Sequence, residues 1–220
     1  MLEEYLRATD IIDSDSPSIR EKAEELTIGL RTDSDKASAL FYYVRDSIKF
    51  SPYAPGHLLE HNRASVVLDR GQGFCYQKAI VLAAMARAVG IPARLGFADI
   101  RNHQLSEKFL KLMYGSNVLV YHGYTELYLN GRWVAATPAY DARLCQDNGF
   151  VPVDFDGEND ARFPKHTASG EPHIEYIGQR GHHSDLPWEE ILQARDEFLA
   201  GLGVDTEEFM ARWLADQKGA

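Results

Sequence analysis

Long apolar runs are absent from this sequence. No stretch approaches the roughly 18 consecutive apolar residues of a membrane span, so no membrane-embedded segment is expected. Basic charge is scarce as well. Lysine and arginine number 23 against 33 aspartates and glutamates, a net charge of −10. That balance argues against a general nucleic-acid binder, which needs a basic surface to displace counterions from phosphate. Cysteine is rarer still, with only Cys75 and Cys145 in 220 residues. A core of this size needs neither disulfides nor a metal to hold it. The first residues, from Met1 to Arg7, carry no basic stretch followed by an apolar one. A secretory leader is therefore not expected, and a cytoplasmic location with reduced thiols is.

What remains is the composition of an ordinary globular protein, 45% apolar and 25% charged. One domain over residues 1–220 is expected. The acidity is concentrated at the two ends. Residues 1–35 hold 10 acids and 4 bases, residues 185–220 hold 9 and 3, and the middle holds 14 and 16.

Ser16-Pro17 starts a helix over about residues 16–30, with Ile19, Ala23, Leu26 and Leu30 at helical spacing. A second helix is expected over about 35–48, on the stripe Ala37, Leu40, Phe41, Val44 and Ile48. Residues 49–70 read as irregular. From Cys75 the chain is apolar on nearly every side through Ala86, so this helix should be buried all round. Gly90 and Pro92 end it, and a strand follows over about 93–100. Val118 to Leu129 and Arg132 to Ala136 form a hairpin around the type I′ turn Asn130-Gly131. Residues 140–183 read as loops with short strands such as 174–177. Two acidic helices close the chain over about 186–217, one carrying Ile191, Leu192, Phe198 and Leu199, the other Phe209, Trp213 and Leu214.

The chemistry concentrates at Gly71-Gln72-Gly73-Phe74-Cys75-Tyr76. Two glycines permit a tight approach into the helix, so Cys75 sits at its N-terminus. Unpaired N–H groups and the helix dipole there favour a thiolate and can hold an oxyanion. A small buried hydrophobe is the plainer alternative for such a cysteine. Gln72 is a candidate side-chain oxyanion donor, against the alternative of a turn residue in solvent. Cys145 has no comparable setting.

A thiolate nucleophile needs a base, and His122 is the best placed of eight histidines. The Asn130-Gly131 turn sets Tyr124 opposite Thr137 and His122 opposite Ala139. Thr137, and Asp141 if the strand continues, then share the His122 side, and either can orient the imidazole. Tyr124 and Tyr128 share that face as candidate walls.

Together these segments resemble the transglutaminase-like superfamily, of papain-like cysteine peptidase fold. The resemblance rests on Gly73-Phe74-Cys75, Gly90-Ile91-Pro92-Ala93-Arg94, His122-Gly123-Tyr124-Thr125-Glu126 and Gly131-Arg132-Trp133, over about residues 35–141. It implies an α+β fold, with the cysteine helix packed on an antiparallel sheet and helices at both ends, the N-terminal helical part covering 1–50. It also implies a Cys–His–Asp triad acting through a thioester on peptide or isopeptide amides, by hydrolysis or transfer to an amine. No cofactor is implied. Carried over, Cys75 is the nucleophile and His122 the base. The family's aspartate position, four residues after the tryptophan, is Thr137 here, so Asp141, helped or replaced by Thr137, is the expected orienting group.

Other motifs are weaker. Aligned on Gly157, the acidic turn 154–160 lacks carboxylates at the first and last positions of a calcium loop. His182 and His183 are adjacent, so a strand points them to opposite faces. His57 and His61 fall in the irregular segment and read as solvated. Two other functions compete: a non-catalytic peptide-binding module, supported by Thr137, and an arylamine N-acetyltransferase-like enzyme, suggested by Arg70-Gly71-Gln72-Gly73-Phe74-Cys75.

Overall fold

Helix α1 (Pro17–Thr27) starts where Pro17, with its preset φ, takes the first turn. The computed structural model describes residues 2–217. Ser16 precedes α1 without a side-chain capping bond. Helix α2 (Asp33–Ser47) is capped by the Thr32 side chain, which accepts from the Asp35 N–H. Its expected stripe, Ala37, Leu40, Phe41 and Val44, is fully buried. Strand β1 (Lys49–Phe50) follows directly.

Residues 49–70 depart from the expected irregular segment. They contain a 3-10 turn (Leu59–Asn62) and helix α3 (Ala64–Arg70). The signal is missing locally because the cap is remote. Asp13, far back in the chain, accepts from the Ser65 N–H at 3.0 Å in the first turn of α3. Strand β2 (Gln72–Gly73) pairs in parallel with β1 and leads into helix α4 (Cys75–Ala88).

Helix α4 is the axis of the core, with Ala79 through Ala86 all at 0% exposure. Helices α1, α2 and α3 pack around it, and the sheet takes its remaining side. Even Lys78 is enclosed. Its Nζ donates to the Arg45 carbonyl at 2.9 Å, and burial pushes its pKa down to about 7.

The sheet contains β3 (Ala93–Asn102), β4 (Val118–Leu129), β5 (Arg132–Ala136) and β6 (Ile174–His183), with the short helix α5 (Glu107–Leu112) between β3 and β4. It is antiparallel throughout, in the order β5-β4-β3-β6. Asn130 and Gly131 both have positive φ, 51° and 83°, as a type I′ turn requires. The β4–β5 register runs from Leu129↔Arg132 to Thr125↔Ala136 and stops there. Beyond it the Thr137 N–H donates to the Ala161 carbonyl, outside the hairpin.

Residues 140–183 hold more structure than loops and short strands. Helix α6 (Ala142–Asn148) begins at Asp141, and β6 runs to ten residues. The charged alternation of β6 disguised it, since Glu175 and Arg101 pair across to β3. Helices α7 (Trp188–Gly201) and α8 (Thr206–Gln217) close the fold at the expected places. Among the described residues no helix is long and apolar enough to cross a membrane.

Candidate active site

Cys75 is the first residue of α4, and the approach to it is built tightly. A Cβ on Gly73 would lie 3.2 Å from the Gln77 side chain and from Val67 Cγ1. Gln77 Oε1 accepts from the Phe74 N–H at 3.2 Å, and its Nε2 donates to the Pro55 carbonyl and Asn62 Oδ1. The turn before the cysteine is thereby pinned by a buried side chain from the helix itself. Gln72 differs from its expected role. Its side chain is exposed on β2 and lines no part of the cavity at Cys75. The two-residue strand pairing turns it outward.

Strand β4 crosses directly over the start of α4. A Cβ on Gly123 would sit 2.4 Å from Tyr76 Cβ and 2.8 Å from its Cα, a distance no packed pair tolerates. Gly123→Ala must therefore push β4 off α4. A loss of about 1–3 kcal/mol is expected by urea unfolding, the usual cost of overpacking. One turn of chain away, Tyr121 has φ 53°, and the β3–β4 register slips from Ala98↔His122 to Ile100↔Leu119. This bulge turns Tyr121 into the cavity. Tyr124, an expected wall, instead packs its ring over Gly96 and lines no part of it, and Tyr128 pairs with Trp133 at 5.3 Å.

Cys75 and His122 line the same cavity, of about 260 Å³. Burial pushes the Cys75 thiol up, and the N–H groups of Gly123, Tyr76 and Cys75 itself oppose that rise without reversing it. The depressed thiol expected of a helix N-terminus is thus not reached, because the cavity desolvates the sulfur. His122 is 2% exposed. Burial, with the Arg162 guanidinium adding to it, pushes the imidazole down to about 3. Both groups therefore rest in their neutral forms.

The orienting group differs from expectation. Asp141 is committed elsewhere: its Oδ1 accepts from the Leu144 N–H as the cap of α6, and its Oδ2 accepts from the Phe50 N–H. The strand does not continue to position 141, so the parity that placed Asp141 beside His122 does not apply. Thr137 is fully buried, and its Oγ1 and His122 Nε2 both lack a hydrogen-bond partner. The His122 ring is held by packing, 5.2 Å from the Phe163 ring and 6.1 Å from Tyr176. Arg162 lies over Tyr124 and Tyr176, at 4.5 and 5.6 Å from their ring centres.

A family model described as the transglutaminase-like superfamily matches residues 20–138. This chain belongs to the transglutaminase-like superfamily. Among solved structures it is similar to the "Putative Cysteine Protease" of Cytophaga hutchinsonii, at 17% identity and a TM-score of 0.48. That likeness covers 81% of this chain and 53% of the other, so the chain spans about half its length. It is also similar to the periplasmic domain of TgpA from Pseudomonas aeruginosa, at 20% identity and a TM-score of 0.40, over 56% and 42% of the two chains. A search of curated proteins finds no match.

The superfamily match ends at Pro138, one residue past Thr137. The rest of the chain is nonetheless part of the site. Ile191 and Arg195 of α7, and Phe209 and Trp213 of α8, line the cavity. Trp213 Nε1 donates to the Pro52 carbonyl at 3.3 Å. The sequence shows these residues only as an amphipathic stripe, and nothing in it says that the stripe faces Cys75. Phe163, Tyr140 and Arg162 carried no signal either, since they come from the loop-rich region.

Of the remaining candidates, none lines this cavity, but the His57 ring lies 6.0 Å from Trp213 on an adjoining cavity that shares part of its wall. Asp156 closes a turn on itself, accepting from the Glu158 and Asn159 N–H groups. His182 reaches Glu126 at 2.8 Å while His183 approaches Glu190 at 4.0 Å, so the two rings diverge. His57 and His61 are half-buried rather than solvated, with ring centres 4.7 Å apart. Among the described residues there is no cluster of three or more histidine, cysteine or acidic side chains able to hold a metal.

Proposed function

We propose that the protein is a thiol enzyme acting on peptide or isopeptide amides through a thioester at Cys75. One observation carries this reading: the cysteine at the head of α4 and the strand histidine His122 line one cavity. The neutral pair suits a general-base mechanism. As Cys75 Sγ bonds to the carbonyl carbon, its proton passes to His122. The imidazolium then gives that proton to the departing amine as the C–N bond breaks, leaving a thioester. Water or a second amine attacks the thioester and loses a proton to His122, and the sulfur recovers it on release. The N–H groups at the head of α4 are the donors available to the oxyanion.

A second reading is favoured by one feature. Where the superfamily resemblance implies an aspartate there is Thr137, and the nearby charge acting on His122 is the cation Arg162. A peptide-binding module that keeps the fold without turnover is consistent with that. Thiol labelling separates the two. On the enzymatic reading, iodoacetamide labels Cys75 at pH 7, His122→Ala slows that labelling, Cys75→Ala abolishes it, and Cys145, at 1% exposure, stays unmodified. Labelling of Cys75 that His122→Ala leaves unchanged favours the binding module. The arylamine N-acetyltransferase-like alternative has no observation in its favour.

A further inference from the structure

The cavity at Cys75 is walled by apolar side chains from residue 50 to residue 213. Phe50, Phe109, Tyr121, Ile191, Phe209 and Trp213 surround it, and no carboxylate or carboxamide side chain lines it among the described residues. Among the described residues the one cationic side chain on its wall is Arg195, and it is partly engaged. Its Nε and Nη2 both donate to Asp196 Oδ1, at 2.9 and 2.8 Å, and its Nη1 faces Met210 Sδ. A charged or carboxamide group drawn into this space would shed its water against mostly aromatic walls, where the polar side chains are few: His122, Arg195 and the hydroxyls of Tyr76, Tyr121 and Tyr140. A large apolar group would instead be removed from water against aromatic faces.

We infer that the substrate presents a bulky apolar group, aromatic or branched, next to the carbonyl that Cys75 attacks, and that Phe209 and Trp213 of α8 select it. The placement of that carbonyl rests on the proposed role of Cys75, whereas the preference of the cavity does not. The inference excludes a glutamine side chain as the group that fills the cavity. A neighbouring cavity of about 210 Å³ shares Phe50 and Phe109 with it and adds Gln104 and Asn148, so the polar remainder of a longer peptide has a separate place to lie.

The test uses unreactive ligands on the full-length Cys75→Ala protein, titrated by calorimetry with N-acetyl-phenylalanine methylamide and N-acetyl-glutamine methylamide. The phenylalanine compound is expected to bind about tenfold or more tightly. Phe209→Ala, added to the same protein, should reduce that ratio by weakening the phenylalanine compound alone. Trp213→Ala, which removes the other selecting ring, should do the same and serves if Phe209→Ala does not fold. Equal affinities, a preference for glutamine, or no binding of either compound overturns the inference. Labelling of Cys75 in the unaltered protein and in His122→Ala tests the catalytic reading independently. A cysteine that proves unreactive leaves the affinity ratio free to support or sink the preference by itself.

Discussion

Replacing His122 with alanine is expected to slow acylation of Cys75 by p-nitrophenyl acetate about 10²- to 10⁴-fold, the usual share of a positioned general base. The pH dependence is the sharper measurement. A histidine held near its ordinary value of 6.5 loses its basic form as pH drops below that point. His122, pushed down to about 3, keeps the basic form throughout the range above that. Between pH 7 and pH 5 the histidine should therefore impose no fall in rate, and any decline should follow thiol ionisation alone. Thr137→Asp supplies the counterpart. It puts a carboxylate where the superfamily resemblance implies one, and a carboxylate in that role stabilises the imidazolium and moves its pKa upward. That protein should lose rate toward pH 5 where the parent does not. An unchanged acylation rate in His122→Ala removes the histidine from the mechanism, and the same profile in parent and Thr137→Asp shows that position 137 does not orient it.

The second large effect concerns stability and centres on His173. It is fully buried, neither ring nitrogen has a hydrogen-bond partner, and its ring stacks on Phe150 at 4.2 Å. Burial pushes its pKa down to about 4. Below pH 6.5 the unfolded chain binds a proton that the folded chain refuses. Folding stability therefore falls as pH drops from about 6.5 to about 4, by about 1.4 kcal/mol per pH unit for this group. His122 contributes a loss of the same sign that continues to about pH 3. His173→Phe keeps the stacked ring and removes the titration. It is expected to stabilise the protein by about 2 kcal/mol more at pH 5 than at pH 8, measured by urea unfolding at each. An equal difference at the two values would show that His173 is not the acid-sensitive group.

The parts of the fold legible in the sequence are those whose causes lie close together in the chain. The Asn130-Gly131 turn sets the β4–β5 register by itself, and the all-round apolar run after Cys75 announces a helix buried on every side. The placement of Cys75 at a helix head and of His122 on a strand was legible for the same reason, each residue belonging to one of those elements. Remote causes hid the rest. Helix α3 takes its cap from Asp13, and β6 carries charges because its partners on β3 are charged. Asp141 was misassigned because strand parity was carried past Pro138, beyond the last paired residue, Ala136. The cation near His122 and the aromatic wall of the cavity come from residues 162 and 191–213, so only the folded chain reveals them.

The wall supplied by Phe209 and Trp213 also bears on synthesis. The helix bearing Cys75 and the hairpin bearing His122 are both made by residue 136. At about 5–20 residues per second, the ribosome needs some seconds more to reach α8. During that interval the chain first lacks Phe163 and Tyr176, which hold the His122 ring, and then the α8 part of the cavity wall. Burial is what raises the Cys75 thiol and lowers the His122 imidazole. The nascent chain thus holds a more readily ionised cysteine than the finished one, and oxidants or stray electrophiles have their best chance at it before α8 docks.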